Sequence, residues 1–262
     1  MFLLRSYKPY SPGIRHKKSR HYIEFLNSQK HFFFFKSKKN CSGRNNSGKI
    51  TIRHRGVLVK KKKILWQDKL RLTINLLSLL IGVYKQKNNM CFFGLIKYSS
   101  GIFSYIYLAH GLKIGMFLYS NSFFSKKFYF PLGSVYFFVL YQFYFRFFNV
   151  CSFFKKKSIY ARSAGVFCKF LSKNEERNFM KIELPSGQIK FLPLEYNCTI
   201  GRASNIFAYK DIRGKAGLTR RLGFRPSVRG VAMNPVDHPN GGRTKTNKPE
   251  KTPWGRIAKY SK

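Results

Sequence analysis

Residues 225–242 constrain this chain more than any other stretch: Arg225-Pro-Ser-Val-Arg-Gly-Val-Ala-Met-Asn-Pro-Val-Asp-His-Pro-Asn-Gly-Gly242. Three prolines remove backbone donors, three glycines loosen the backbone, and no helical or strand period of apolar residues runs through it. Such a segment buries little of itself, so whatever orders it in its working state is expected to lie outside the protein.

The charge balance says what that partner is. Lys and Arg number 51 against 9 Asp and Glu, a formal net charge of +42 in 262 residues. Between Asp68 and Glu175 there is no acidic residue, so positive charge in that half cannot be paired internally. Self-repulsion at this level disfavours a compact free chain, and nucleic acid is the commonest dense counter-charge. An anionic membrane surface ranks second. A small acidic substrate ranks third, because it neutralises only a few charges.

The five cysteines (41, 91, 151, 168 and 198) are dispersed, with no Cys-x-x-Cys and no Cys-His cluster. That argues against zinc and suits buried thiols in a reducing compartment. Phe (28) and Tyr (16) are abundant. Together with Lys, Asn and Ile they have AT-rich codons, which reads as the imprint of an AT-rich, organellar genome. The start, Met-Phe-Leu-Leu-Arg, is too short for a signal core, so a leader is not expected and synthesis inside an organelle fits.

The pattern along the chain is mainly β. Residues 1–63 read as an extended basic arm with prolines at 9 and 12 and an isolated apolar patch at 32–35. Residues 64–119 hold β-branched and aromatic runs at 72–83, 91–98 and 102–108, split by turn signals at Lys87-Asn-Asn and Ser99-Ser-Gly101. Residues 125–205 repeat that style, with a long apolar run at 135–150, strands at 165–171, 179–184 and 188–192, and a Pro185-Ser-Gly187 hairpin turn. Each stretch predicts a small barrel. Residues 206–262 form a basic tail with one short helix over 214–222. The run 128–150 is long enough to be weighed as a membrane span, but Pro131, Gly133, Gln142 and Arg146 interrupt it and its β-branched and aromatic content favours strands.

The basic motifs carry the expected contacts. Arg225, Arg229 and Arg243 stand among Pro and Gly, where guanidinium forks can reach phosphates in RNA crevices. Met233 and Asn234 either insert against bases or pack locally. Asp237-His238 resembles an acid–imidazole pair, yet no nucleophile motif accompanies it, so Asp237 is expected to bond locally and His238 to contact RNA. In Ser42–Gly48 the glycines flank Arg44, Asn45 and Asn46, a phosphate-binding turn. Arg53, His54 and Arg55 follow, and alternation over 50–55 is expected to set Arg53 and Arg55 on one face of a strand. The lysine runs at 60–63 and 155–157 serve as unspecific phosphate anchors.

Val228-Arg-Gly-Val-Ala-Met-Asn-Pro-Val-Asp-His-Pro239 followed by Gly241-Gly242 closely resembles the C-terminal signature of the universal large-subunit ribosomal protein 2 family, in its bacterial and organellar form. Collinear segments agree: Lys8-Pro-Tyr-Ser-Pro-Gly-Ile-Arg-His16, Ser42-Gly-Arg-Asn-Asn-Ser-Gly-Lys-Ile-Thr-Ile-Arg-His-Arg-Gly56, Gly111-Leu-Lys-Ile-Gly115, Pro131-Leu-Gly-Ser-Val135, Ala161-Arg-Ser-Ala-Gly165, Leu184-Pro-Ser-Gly187 and Thr252-Pro-Trp-Gly255. The resemblance implies an OB-like barrel at 64–119, an SH3-like barrel at 125–205, and basic extensions (1–63 and 206–262) that penetrate ribosomal RNA. It adds Arg162 and Ser163 to the expected RNA contacts. It further implies a structural, non-enzymatic constituent of the large subunit, stabilising RNA near the peptidyl-transferase centre and supporting subunit association. The expected partners are large-subunit rRNA, neighbouring ribosomal proteins and small-subunit rRNA at the interface, with no small-molecule substrate and no membrane insertion. Mg2+ is expected in the surrounding RNA and not as a dedicated cofactor, and the mitochondrial matrix is the expected location, ahead of a plastid. The chain departs from the family's pattern where Asn240 replaces a second His, where Arg243-Thr-Lys245 replaces an acidic Gly-Glu-Gly, in its shorter tail and in its aromatic middle.

Overall fold

The computed structural model describes residues 4–20, 35–37, 41–56, 62–64, 76–85, 91–120, 131–140, 145–152, 157–242 and 249–258. The chain divides into two compact units, one of residues 1–39 and 60–216, the other of residues 40–59 and 217–262.

The larger unit is mainly β. Short strands β1 (Leu4–Ser6) and β2 (Lys18–Arg20) pair antiparallel around the one-turn helix α1 (Pro12–Arg15), and β3 (Phe35–Ser37) pairs with β4 (Lys62–Ile64). The central sheet then runs through β5 (Leu76–Lys85), β6 (Phe92–Tyr98), β7 (Phe103–Tyr107), β8 (Phe117–Ser120), β9 (Val135–Phe137), β10 (Arg146–Ser152), β11 (Lys157–Tyr160), β12 (Cys168–Asn174), β13 (Phe179–Glu183), β14 (Ile189–Pro193) and β15 (Asn197–Ile200). The strand order is β14-β13-β12-β10-β15-β9-β8-β5-β6-β7, with β11 on β10. All neighbours are antiparallel except β8 and β9, which meet in parallel at Ser120 and Val135. This is the mainly β architecture of an OB-like barrel followed by an SH3-like barrel.

The two largest apolar clusters among the described residues sit on this sheet. Leu80, Ile96, Ile106 and Leu118 lie in the first, and Phe138, Phe147, Met180 and Ile182 in the second. Strand β10 serves both, because successive side chains point to opposite faces: Phe147 enters the second core and Phe148 the first. That double burial explains why the sequence around it is a continuous apolar run and not an alternating one. The run at 135–150 is not one strand. It breaks after β9 into a 3-10 turn (Phe138–Leu140) before β10 begins, and both strands pair with β15. Among the described residues no helix is long and apolar enough to cross a membrane. Four cysteines are buried and Cys41 is exposed.

The hairpin turns expected at 99–101 and 185–187 join β6 to β7 and β13 to β14, as their Gly positions require. Strands β8, β11 and β15 escape a pattern reading because each is only four residues long. The short helix expected at 214–222 is α2 (Ala216–Arg221). The Lys87 turn and the start of the run at 72–83 lie outside the described residues.

Candidate nucleic-acid interface

Among its described residues the smaller unit has no apolar cluster. None of the hydrophobic clusters among the described residues draws a member from it. Its order comes from backbone hydrogen bonds closed in tight turns.

The first turn spans residues 41–52. Arg44 N–H donates to Cys41 O at 2.9 Å, Asn45 N–H to Lys49 O at 2.9 Å, and Thr51 N–H to Gly43 O at 2.9 Å. Gly43 adopts φ +80°, and a Cβ there would collide with the carbonyl oxygen of Ile52, so only glycine fits. The side chains expected to face RNA divide their work. Asn45 Oδ1 accepts from Lys49 N–H (2.9 Å) and Ser47 Oγ–H (2.8 Å), which makes Asn45 a turn builder. Arg44 Nη1 donates to the Gly48 carbonyl at 2.9 Å. Asn46 is exposed.

Residues 50–55 do not form the expected strand. His54 has φ +59°, a left-handed residue that breaks the extended path between Arg53 and Arg55. The stretch instead docks on the start of the proline-rich segment. Arg55 bridges Phe224, Arg225 N–H donates to His54 O at 3.0 Å, and Gly56 N–H donates to Gly223 O at 2.9 Å. His54 Nδ1 donates to Pro226 O at 3.2 Å, and the Arg55 guanidinium lies 4.9 Å from the Phe224 ring centroid. The segments carrying Arg53, His54 and Arg55 and carrying Arg225, remote in sequence, are thereby tied together, and all four residues are exposed.

From Arg229 the chain coils into a ladder of turns. A 3-10 turn covers Gly230–Ala232, Asp237 N–H donates to Asn234 O at 3.0 Å, and Gly242 N–H closes on Met233 O at 3.1 Å. His238 is the one buried side chain here, at 8% exposure. Its ring packs so tightly on Gly230 that any Cβ at that position would overlap it. His238 Nδ1 accepts from Asn240 N–H at 3.0 Å, so His238 holds the loop's shape instead of standing outward. Asn240, where the chain departs from the resembled signature, donates from Nδ2 to Lys251 O (3.2 Å) and accepts at Oδ1 from Lys251 N–H (3.0 Å). It ties the ladder to the final turn, where Thr252-Pro-Trp-Gly255 closes with Gly255 N–H donating to Thr252 O at 2.9 Å. Arg225, Arg229, Asn234 and Asp237 remain exposed and Met233 is half-buried. Val236 is 90% exposed and Trp254 72%. Arg243 and the patch at 32–34 lie outside the described residues, as do parts of both lysine runs.

Arg162 and Ser163 belong to the larger unit, where both are exposed in the loop after β11. Arg162 stands beside Tyr107: burial pushes that phenol's pKa up, and the guanidinium's charge pulls against the rise. Sequence reading missed a basic group nearby in the fold. Arg146 and Arg202 lie 4.8 Å and 5.3 Å from the Phe167 ring centroid, and Arg202 Nε donates to the Gly165 carbonyl. Burial holds the His110 pKa below its ordinary value, and Arg202 adds to the effect. These residues share no sequence motif, and only the pairing of β10, β12 and β15 brings them together. Among the described residues no group of three or more His, Cys, Asp or Glu side chains converges to hold a metal.

Two family descriptions match the chain: "Ribosomal Proteins L2, RNA binding N-terminal domain" over residues 33–120, and "Ribosomal Proteins L2, C-terminal domain" over residues 145–255. The chain is 34% identical over 262 residues to large ribosomal subunit protein uL2c of Cyanidium caldarium, covering 97% of this chain and 92% of that one. It is 33% identical over 268 residues to uL2 of Akkermansia muciniphila (97% and 91% covered), and 34% identical over 259 residues to uL2 of Mycoplasmoides gallisepticum (93% and 87%). With turns, arms and strands in the same order as the motifs that carry the resemblance, the chain belongs to the ribosomal protein L2 family.

Proposed function

We propose that the chain is a structural, non-enzymatic constituent of the large ribosomal subunit in an organelle, where it binds large-subunit rRNA near the peptidyl-transferase centre and supports subunit association. The observation that carries this reading is the smaller unit. Among the described residues it has defined turns and no apolar cluster, and Arg53, Arg55, Arg225, Arg229, Val236 and Trp254 are all exposed. A surface of that kind gains its missing burial and counter-charge from an RNA crevice. Asp237 and His238 act as parts of this scaffold, and Mg2+ enters with the RNA's phosphates and not through a protein site. The AT-rich amino-acid usage supports an organellar ribosome, and we favour the mitochondrial matrix. Similarity to a plastid relative keeps the plastid as the alternative.

Sedimentation of a tagged chain through a sucrose gradient of organelle lysate tests the reading. Co-migration with large subunits and whole ribosomes, kept in high salt and lost after RNase, is the expected result. Migration with membranes, indifferent to RNase, would overturn it.

A further inference from the structure

The Arg146–Phe167–Arg202 group is a second place where this chain needs an anion. Strand β10 lies between β12 and β15 in the sheet, with Phe147 opposite Cys168 on one side and Ile200 on the other. That register sets Arg146 at the start of β10, next to Phe167 just before β12 and Arg202 just after β15. Gly201 N–H donates to Arg146 O at 2.9 Å, which ties the end of β15 to the start of β10. Both guanidiniums then lie on one aromatic ring, at 4.8 Å and 5.3 Å from its centroid. The ring quadrupole holds each cation in place but does not neutralise it. Among the described residues neither guanidinium has a carboxylate within ion-pair distance. The carboxylate across the sheet, Glu183, is already held by Lys169 Nζ at 3.1 Å to each oxygen. Lys169 is itself the register partner of Arg146, so this neighbouring ion pair leaves no free carboxylate for the group.

Two like charges fixed on one ring repel each other, and the described residues offer them no counter-ion. Planar guanidinium forks match phosphate oxygens in a bidentate way. We propose that Arg146 and Arg202, oriented by Phe167, form a phosphodiester clamp for an RNA strand on the β-rich unit, separate from the turn ladder of the smaller unit. The proposal rests on the RNA-binding reading above. Phe167 is a positioning residue in it: it fixes the forks without touching phosphate.

The full chain and the double variant R146Q/R202Q are compared by filter binding to a transcript of bacterial large-subunit rRNA across a salt series. Removing one arginine–phosphate pairing lowers the slope of log K against log[salt] by about 0.7–0.9, so the double variant is expected to bind with a slope shallower by about 1.4–1.8. Because Arg202 also bonds to Gly165, R146Q alone serves as the variant without that structural bond, with an expected drop in slope of about 0.7–0.9. F167L keeps both charges, so its slope is expected to stay close to that of the unchanged chain while its affinity falls. An unchanged slope in R146Q and in the double variant, while the unchanged chain still binds RNA steeply, would overturn the clamp and leave the RNA reading standing. Failure of the unchanged chain to bind RNA would overturn both. Weaker binding of the double variant to anionic lipid vesicles, with no change in the RNA slope, would assign the group to a headgroup and also overturn the clamp.

Discussion

Phe147 and His238 are both buried, and the reasons differ. Phe147 is fully enclosed by side chains, meeting Phe138 edge to face at 5.5 Å, in a core shared with Met180 and Ile182. His238 is enclosed by backbone: Gly230 beneath its ring and the Asn240 N–H on its Nδ1. The β-rich unit holds itself together by removing apolar area from water, about 25 cal/mol per Å². The smaller unit holds a shape by closing hydrogen bonds that are each worth only about 0.5–1.5 kcal/mol net. A region of the first kind carries its own apolar burial, whereas one of the second kind is shaped for a partner that supplies the burial it lacks.

The largest effect is expected from attacking the first mechanism. Phe147→Ala removes a fully buried ring and should cost about 3–5 kcal/mol, enough to erase the cooperative unfolding transition at 37 °C, as read by chemical denaturation. Retention of a full transition would mean that the aromatic core is not what holds the sheet.

His238→Ala attacks the second mechanism. It removes the Asn240 hydrogen bond and leaves Gly230 facing a void. RNA affinity should fall about tenfold, a loss of about 1.4 kcal/mol, while the main unfolding midpoint stays put. In fully assembled particles peptide-bond formation should persist. A shifted midpoint with unchanged RNA affinity would erase the distinction between the two units.

The buried thiols, all in the β-rich unit, give a pH test whose share is isolated by Cys→Ser variants. Burial pushes Cys91 up to about 11 and Cys151 and Cys168 to about 12, from 9.0. Above pH 9 the unfolded chain sheds thiol protons that the folded chain keeps. The stabilisation is therefore complete below that value and is lost as pH rises through about 11 to 12. Urea midpoints should fall between pH 9 and 11, and Cys→Ser variants at 91, 151 and 168 should flatten the fall. The smallest effect belongs to Lys169→Ala. This side chain is 55% exposed in its pair with Glu183, and its loss should cost about 0–1 kcal/mol in the same assay.

The sequence makes some of this legible for plain physical reasons. Strands β6, β7, β13 and β14 are flanked by Gly turns, and their apolar residues mark them. The division of the run at 135–150 is hidden because β10 is buried on both faces, so its sequence shows no period at which to cut. The departure at 50–55 turns on one left-handed residue, His54, whose pairing with Pro226 no local pattern encodes. The motif around Asp237-His238 does not reveal the segment's inner working: the ring faces Gly230, and Asn240 does the bridging to Lys251. Arg146, Phe167 and Arg202 carry no motif at all and meet only through strand register.

Hydrogen exchange across residues 229–242, with and without large-subunit rRNA, shows whether the turn ladder depends on RNA for its stability. Fast exchange is expected in the free chain at Asp237, Gly241 and Gly242, whose hydrogen bonds lie in a ladder without an apolar cluster among its described residues. Strong protection of the same amides is expected once RNA is bound, with little change in β6 or β13. Equal protection in the free and RNA-bound chain would contradict that dependence, because the ladder would then be stable without the partner it is shaped for.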